Sequence, residues 1–220
     1  MHSTVREQAG IGFAAQASAT SYSLADVHLS GGLPAGEVAV YFSPEGQLVS
    51  VPFPDGIYKI VANVTEAPPT PALSFIQNLV NARGPQAEPV IVHDTVWGSR
   101  FRIHHGVADR FHAGRVALAG DAAHHNSPLG GQGMNAGIGD AAALGAALDA
   151  AIERGSQAPL DAYTTTRRPI ARQIVTLTNG LTQLATMDRQ LRTARNAALA
   201  TLSPFLGRRL ARRLSLLNYR

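Results

Sequence analysis

The sequence predicts an α+β protein in which an antiparallel sheet is followed by a mostly helical half. Three observations predict it. Apolar residues alternate with period two from Glu37 to Val64, interrupted by the turn signals Pro44-Glu45-Gly46 and Pro54-Asp55-Gly56. From Ile138 onward the apolar spacing becomes i, i+4, i+8, as in Leu144, Leu148 and Ile152. Between the two lies a short apolar run, Val116-Ala117-Leu118-Ala119, that ends on a glycine-crowded loop.

The elements follow in order. Residues 1–36 are rich in Ala, Gly and Ser and read as irregular, with a short strand at Ser23 to Leu29. Glu37–Phe42, Gln47–Val51 and Ile57–Val64 read as three strands of a meander. The stretch EAPPTP ends it. Ala72 to Ala82 is expected to be helical, with Leu73, Ile76, Leu79 and Val80 on one side. Val90–Val92 and Arg100–Ile103 suggest two strands on either side of Trp97. Val116–Ala119 reads as a short buried strand. Helices are then expected over Ile138–Ile152, Leu160–Thr178, Leu181–Leu202 and Gly207–Leu217. Pro169 should kink or divide the second of these. Gly137, Ala141 and Gly145 form a stripe with almost no side chain, suited to close packing on a sheet.

Composition narrows the function classes. The 220 residues are 45% hydrophobic and 15% charged, which fits a globular chain rather than a disordered one. Cysteine is absent, so disulfides and thiolate chemistry are excluded. No apolar run predicts a membrane span, and MHSTVREQAG lacks a signal-peptide core, so a cytoplasmic setting is expected. Charge is uneven: residues 1–150 hold 7 Lys/Arg against 12 Asp/Glu, and residues 151–220 hold 12 Arg against 3 Asp/Glu. No aromatic residues interleave with those arginines, as a single-strand nucleic-acid binder would need. Arg208, Arg209, Arg212 and Arg213 therefore read as one solvated helix face, and no nucleic-acid partner is expected.

The loop GDAAHHNSPLGGQGMNAGIGD, Gly120 to Asp140, carries the chemistry. Asp121 is expected to end a strand and face a crevice, where a carboxylate accepts hydrogen bonds from sugar or polyol hydroxyls. Gly120 lets a ligand approach the backbone, and Pro128 stiffens the loop. Gly130, Gly131 and Gly133 free several N–H groups to point inward. With a helix starting near Asn135 they form an anion-stabilising site. The expected ligand has hydroxyls at one end and an electron-rich ring at the other.

Competing readings are weaker. Adjacent His124 and His125 point apart on an extended turn, so no metal site with Asp121 is expected, and His124 reads as a satisfied polar residue near the ligand. Asp140 reads as solvent-facing or as the partner of an arginine. Three stretches mimic a dinucleotide fingerprint: Gly10, Gly12 and Ala15; Gly131, Gly133 and Ala136; Gly137, Gly139 and Ala142. The first follows a polar segment, the second a loop, and the third lies inside a helix, so none has the required context.

These residues resemble a known family. Gly114-Arg115-Val116 through Asp121, then Pro128 and Gly130-Gly131-Gln132-Gly133-Met134-Asn135, are similar to the GD motif of the para-hydroxybenzoate hydroxylase-like, FAD-dependent aromatic-ring monooxygenases. The stretch from Gly36 through Val64 resembles their substrate-domain sheet, and LDAYTTTRRPIAR and LSLLNYR resemble their later helix and chain end. The resemblance implies that Asp121 holds the ribityl chain of FAD, that Pro128 lies by the isoalloxazine, and that the amides of Met134 and Asn135 face its pyrimidine edge. It further implies reduction of FAD by NADPH or NADH and hydroxylation of a small aromatic or polyketide substrate with O2. The substrate is expected near Trp97, Phe101 and His104; no catalytic general base is apparent.

One departure matters. Family members begin with a strand and GxGxxG for the ADP half of FAD. The opening MHSTVR instead looks like a midway DGxxSxVR motif without its Asp-Gly, with Ser3, Val5 and Arg6 aligned. The implied organisation is 1–25, a remnant of the FAD-binding domain; 26–103, the substrate-binding sheet; 104–159, the GD-motif segment and helix; and 160–220, the C-terminal helices. An amputated parallel sheet is then expected to leave 116–119 with unpaired edges and the Gly137/Ala141/Gly145 stripe exposed. Weak FAD binding, inactivity alone and self-association follow as expectations. The alternative is a non-catalytic remnant or subunit completed by a partner that carries the dinucleotide-binding half.

Overall fold

The computed structural model describes residues 3–14, 16–43, 45–128, 131–185, 187–199 and 201–202. They form an α+β fold with two compact units. A sheet unit spans Ser18–Ile103 and Ala185–Thr193, and a helical unit comprises Met1–Ala17, His104–Leu184 and Ala194–Arg220.

The sheet unit is built on five strands: β1 (Gln16–Gly31), β2 (Ala39–Ser43), β3 (Gly46–Pro52), β4 (Ile57–Val64) and β5 (Val90–Val107). Their order is β2-β3-β4-β1-β5. The meander registers are antiparallel, with Leu48 opposite Ala62 and Ala25 opposite Ile60. One helix, α2 (Leu73–Arg83), packs on this sheet. Ala25, Val27, Leu48, Ile60, Ala62, Ile76 and Val80 are buried together as its core. Arg83 closes the end of α2. Its Nη1 donates to the Gln47 and Asn63 carbonyls at 3.1 and 2.5 Å, fastening the helix to the β3–β4 hairpin. Burial pushes the Arg83 guanidinium below its ordinary pKa, with Glu45 opposing.

Two expectations fail in this unit. The first 36 residues are not mainly irregular: β1 runs for 16 residues and pairs with β4 from Ser21 to His28. Its inward residues include Ser21, Ser23 and Ala25, whose strand preference is weak, and the sheet's pairing and burial override it. The two strands around Trp97 are one, β5. Gly98 suggests a break, but it is needed for close approach: a Cβ there would stand 3.1 Å from Pro71 Cδ.

The helical unit contains α1 (Thr4–Gln8), a small hairpin of β6 (His112–Ala113) and β7 (Val116–Ala117), then β8 (His124–His125), α3 (Gln132–Arg154) and α4 (Ala158–Ala185). The end of β5 pairs with β8, Gly106 opposite His125. Ile11, Ala108, Phe111, Leu118, Ala123, Tyr163 and Ala171 form its core. The expected strand at 116–119 is corrected here. Only Val116–Ala117 form a strand, antiparallel to β6 and half-buried; Leu118 still donates its amide to the Phe111 carbonyl at 2.8 Å and alone enters the core deeply. The turn His112-Ala113-Gly114-Arg115 has the composition of a hairpin, which takes up one strand edge.

The helices also differ in extent. α3 begins at Gln132, six residues before Ile138, and includes three glycines of the loop. α4 is not divided at Pro169. Tyr163, Arg167, Ala171, Ile174 and Thr178 form a buried stripe along it, and that packing outweighs the hydrogen bond lost at proline. The expected helix Leu181–Leu202 is interrupted: α4 ends at Ala185, a 3-10 turn spans Arg189–Leu191, and helix resumes at 192. The backbone carbonyl of Asp188, a turn-favouring residue, accepts from the Leu191 amide at 3.0 Å. The expected helix at Gly207–Leu217, with Arg208, Arg209, Arg212 and Arg213, lies outside the described residues. Among the described residues no helix is long and apolar enough to cross a membrane.

Candidate functional site

Ala119 is extended, and the chain then turns sharply through a 3-10 turn at Gly120–Ala122. Asp121 is thus on a turn and not at the end of a strand, because β7 stops at Ala117. Gly120 makes the turn at φ +58°. Its backbone lies against α3: a Cβ built on Gly137 would stand 3.4 Å from the Gly120 Cα. A Cβ at either position would make ordinary contact, so it is the left-handed backbone of Gly120 that calls for glycine there. The turn holds the Asp121 side chain in solvent, 80% exposed, with Oδ2 3.6 Å from His125 Nε2.

The far side of the turn is fastened from below. Asp140, 1% exposed, reaches back from α3. Its Oδ2 accepts from the Gly120 amide at 3.3 Å and lies 2.6 Å from His124 Nε2. Its Oδ1 accepts from Arg167 Nε of α4 at 2.8 Å. Burial works against the Asp140 charge, but the hydrogen bonds from His124 and Arg167 prevail and hold its carboxyl below the usual range. His124 is itself buried, packed near the Phe111 ring at 6.2 Å. From the N-terminal segment, Arg6 donates Nη1 to the Ala122 carbonyl at 3.1 Å and lies 4.2 Å over the Phe13 ring. Ser3 Oγ accepts from the Arg6 amide, so the SxVR segment meets the turn directly.

The loop beyond is anchored at Ser127, buried, whose Oγ accepts from Thr182 of α4 at 2.7 Å. Pro128 is exposed and its carbonyl accepts from the Gly131 amide at 3.0 Å. Gly130 lies outside the described residues. Gly131 is the N-cap of α3 and brings no side-chain hydrogen bond to it. Gly133 is half-buried, and Met134 and Asn135 are exposed, Met134 by 75%. The first-turn amides of a helix have no intrahelical acceptors, so this end attracts negative charge. An exposed carboxylate suited to hydroxyl donors therefore sits on a turn whose backbone touches the first turns of α3.

Other sequence-predicted residues distribute differently. Trp97 is half exposed on β5, with Lys59 Nζ 5.5 Å from its ring. Phe101 stacks on Tyr22 at 5.1 Å, also in the sheet unit. His104 belongs to the helical unit. His124 and His125 do point apart: one joins Asp140 inside, the other faces Asp121. Burial lowers the pKa of His125 despite Asp121, and burial together with His104 lowers that of His105. Of the two readings of Asp140, solvent-facing and arginine partner, the second holds. The sequence reading missed its links to His124 and Gly120 and the link between Arg6 and Ala122.

A family model described as an FAD binding domain matches residues 1–178. A flavin-dependent monooxygenase of Mycobacteroides abscessus is 36% identical over 186 residues, 81% of this chain and 38% of that protein. The 6-methylpretetramide 4-monooxygenase of Streptomyces rimosus is 33% identical over 84% of this chain and 34% of its own length. Among solved structures, the anhydrotetracycline hydroxylase OxyS of Streptomyces rimosus superposes with a TM-score of 0.75 at 30% identity, over 97% of this chain and 44% of that one. The chain thus spans less than half the length of these relatives. With the match extending from the SxVR segment through the turn and most of α4, the chain belongs to the family of FAD binding domains found in flavin-dependent monooxygenases.

Proposed function

We propose that this chain forms the flavin-holding and substrate-facing portion of an FAD-dependent ring hydroxylase that uses NADPH or NADH, O2 and an aromatic or polyketide substrate. The observation that carries this reading is the exposed Asp121 carboxylate on a turn in backbone contact with α3 near its uncapped start. Asp121 accepts hydrogen bonds from the polyol hydroxyls of the cofactor. Gly120, Gly131 and Gly133, with Gly130 in the same loop, keep side chains out of its way. The amides of Met134 and Asn135 meet negative charge on the pyrimidine edge, and Pro128 stiffens the loop beside the ring. FAD, when bound, carries reducing equivalents from the nicotinamide to O2 for ring hydroxylation. The protein's task is position and field. On this reading 26–103 serves as the substrate sheet, 104–159 as the flavin segment, 160–220 as supporting helices, and 1–25 as a further piece of the flavin domain.

The test is an FAD titration of the purified chain, read by flavin fluorescence, beside Asp121→Ala. Saturable binding that weakens at least about tenfold in the variant supports the reading, the loss expected for a charged hydrogen bond. Equal binding by both proteins, or none by either, sinks it. At under half its relatives' length, the chain alone is expected to bind weakly and to turn over poorly.

A second reading is a subunit completed by a partner that carries the dinucleotide-binding half. One observation favours it. Met134, Ile138, Ala141, Gly145 and Ile152 run along one side of α3 and are all exposed, Ile152 by 80%. Such an apolar stripe favours association, with another protein or a second copy. Light scattering of the chain across a concentration series decides whether it self-associates; a monomer throughout counts against the second copy.

A further inference from the structure

We propose that Asp140 is a positioning residue that sets the shape of the 120–124 turn and, through it, the affinity for flavin. The proposal rests on the reading of Asp121 as a flavin contact. Asp140 grips the turn on both flanks, at the Gly120 amide and at His124, while Asp121 between them faces solvent. The grip comes from α3, the same helix whose start the turn abuts through Gly120 and Gly137. Arg167 steadies the carboxylate from α4 and also donates to the Ala136 carbonyl at 3.4 Å. Asp140 thus fixes two parts of the site to one another: the carboxylate at 121 and the amides at the helix start. A short turn with a left-handed glycine has several accessible shapes, and directional bonds to a buried anion select one. No ligand contact by Asp140 is required.

Three proteins test this: the wild-type chain, Asp140→Asn and Ile174→Ala. Ile174 is buried in α4, two helical turns beyond Arg167, and is not part of the core cluster around Phe111 and Ala123, so its truncation serves as a control for lost stability. The first readout needs no flavin. Hydrogen exchange at the Gly120 amide should quicken at least about tenfold in Asp140→Asn relative to amides in the middle of α4. It should keep its ratio to them in Ile174→Ala. The second readout is FAD titration. Asp140→Asn should bind roughly 10- to 100-fold more weakly, and Ile174→Ala within about twofold of wild type. If Asp140→Asn does not fold, Asp140→Glu, which keeps the charge and displaces it by one methylene, takes its place with the same expectations. Unchanged relative protection at Gly120 overturns the proposal, as does equal loss of flavin in the Ile174 control. If wild type binds no flavin, the reading of Asp121 fails, while faster exchange at Gly120 still shows that Asp140 holds the turn.

Discussion

The sheet unit and the helical unit are built on different physics. The sheet unit buries Leu48, Ile60, Ile76 and Val80 between one layer of strands and one helix. Its stability follows apolar area, which is tolerant of direction. The helical unit has a core rich in alanine around Phe111 and Tyr163, and its shape near the turn depends on a buried carboxylate with three donors. Two of the buried arginines make the same contrast. Arg83 gives its protons to backbone carbonyls and ties two elements of one layer, whereas Arg167 meets a full charge. Area makes a platform, and directional bonds place a functional group. A protein that must present one carboxylate at a defined position needs the second kind of construction where that carboxylate stands.

Five measurements break or sharpen that contrast. The largest effect is expected from Asp140→Ala, which leaves Arg167 and His124 buried without their anion. It should cost about 3–5 kcal/mol, seen as a lower denaturant midpoint for exchange in α3. Next, Ile76→Ala should cost about 2–5 kcal/mol in the sheet unit through its cavity, read as faster exchange in α2 than in α3. If α3 is destabilised as much as α2, the units are not independent. Gly120→Ala forces a side chain into φ +58° and should cost about 1–2 kcal/mol by thermal melting.

The fourth is pH. His105 and His125 have depressed pKa values in the folded chain, so their contribution is present above the unfolded value of about 6.5 and is lost as pH falls through the folded values. Asp140 is also depressed, so its contribution is lost lower, as pH falls below about 3.9. Acid titration followed by exchange should therefore loosen the helical unit in two stages, with the sheet unit outlasting the first. The smallest stability change belongs to Asp121→Ala. Its exposed side chain should move the melting free energy by no more than about 0.5 kcal/mol. A larger change would mean that Asp121 supports the fold rather than a ligand.

Legibility in the sequence follows the same division. β2, β3, β4 and α2 can be read because alternation and helical spacing mark apolar faces. The glycine-crowded loop can be read because its composition makes little sense without a close-packed turn. β1 can be read only over Ser23 to Leu29; its full length cannot, since small polar residues such as Ser21 take their places from the neighbours they pair with. The sequence sets the start of α3 too late because glycines at 133 and 137 argue against helix locally. Asp140 is visible as an arginine partner, but its hold on residues 120 and 124 depends on a fold that brings the helix back onto the turn. The bond from Arg6 to Ala122 spans 116 residues, and no local pattern announces it.

Trp97 is the sole tryptophan of the chain, and it stands on β5 within the sheet unit, half exposed beside Lys59. Its emission therefore reports one half of the molecule without labels. Circular dichroism at helical wavelengths weighs the other half, where α3 and α4 lie. Recorded together during one heating ramp, the two signals reveal whether the halves melt at one temperature or at two, from a single unmodified sample.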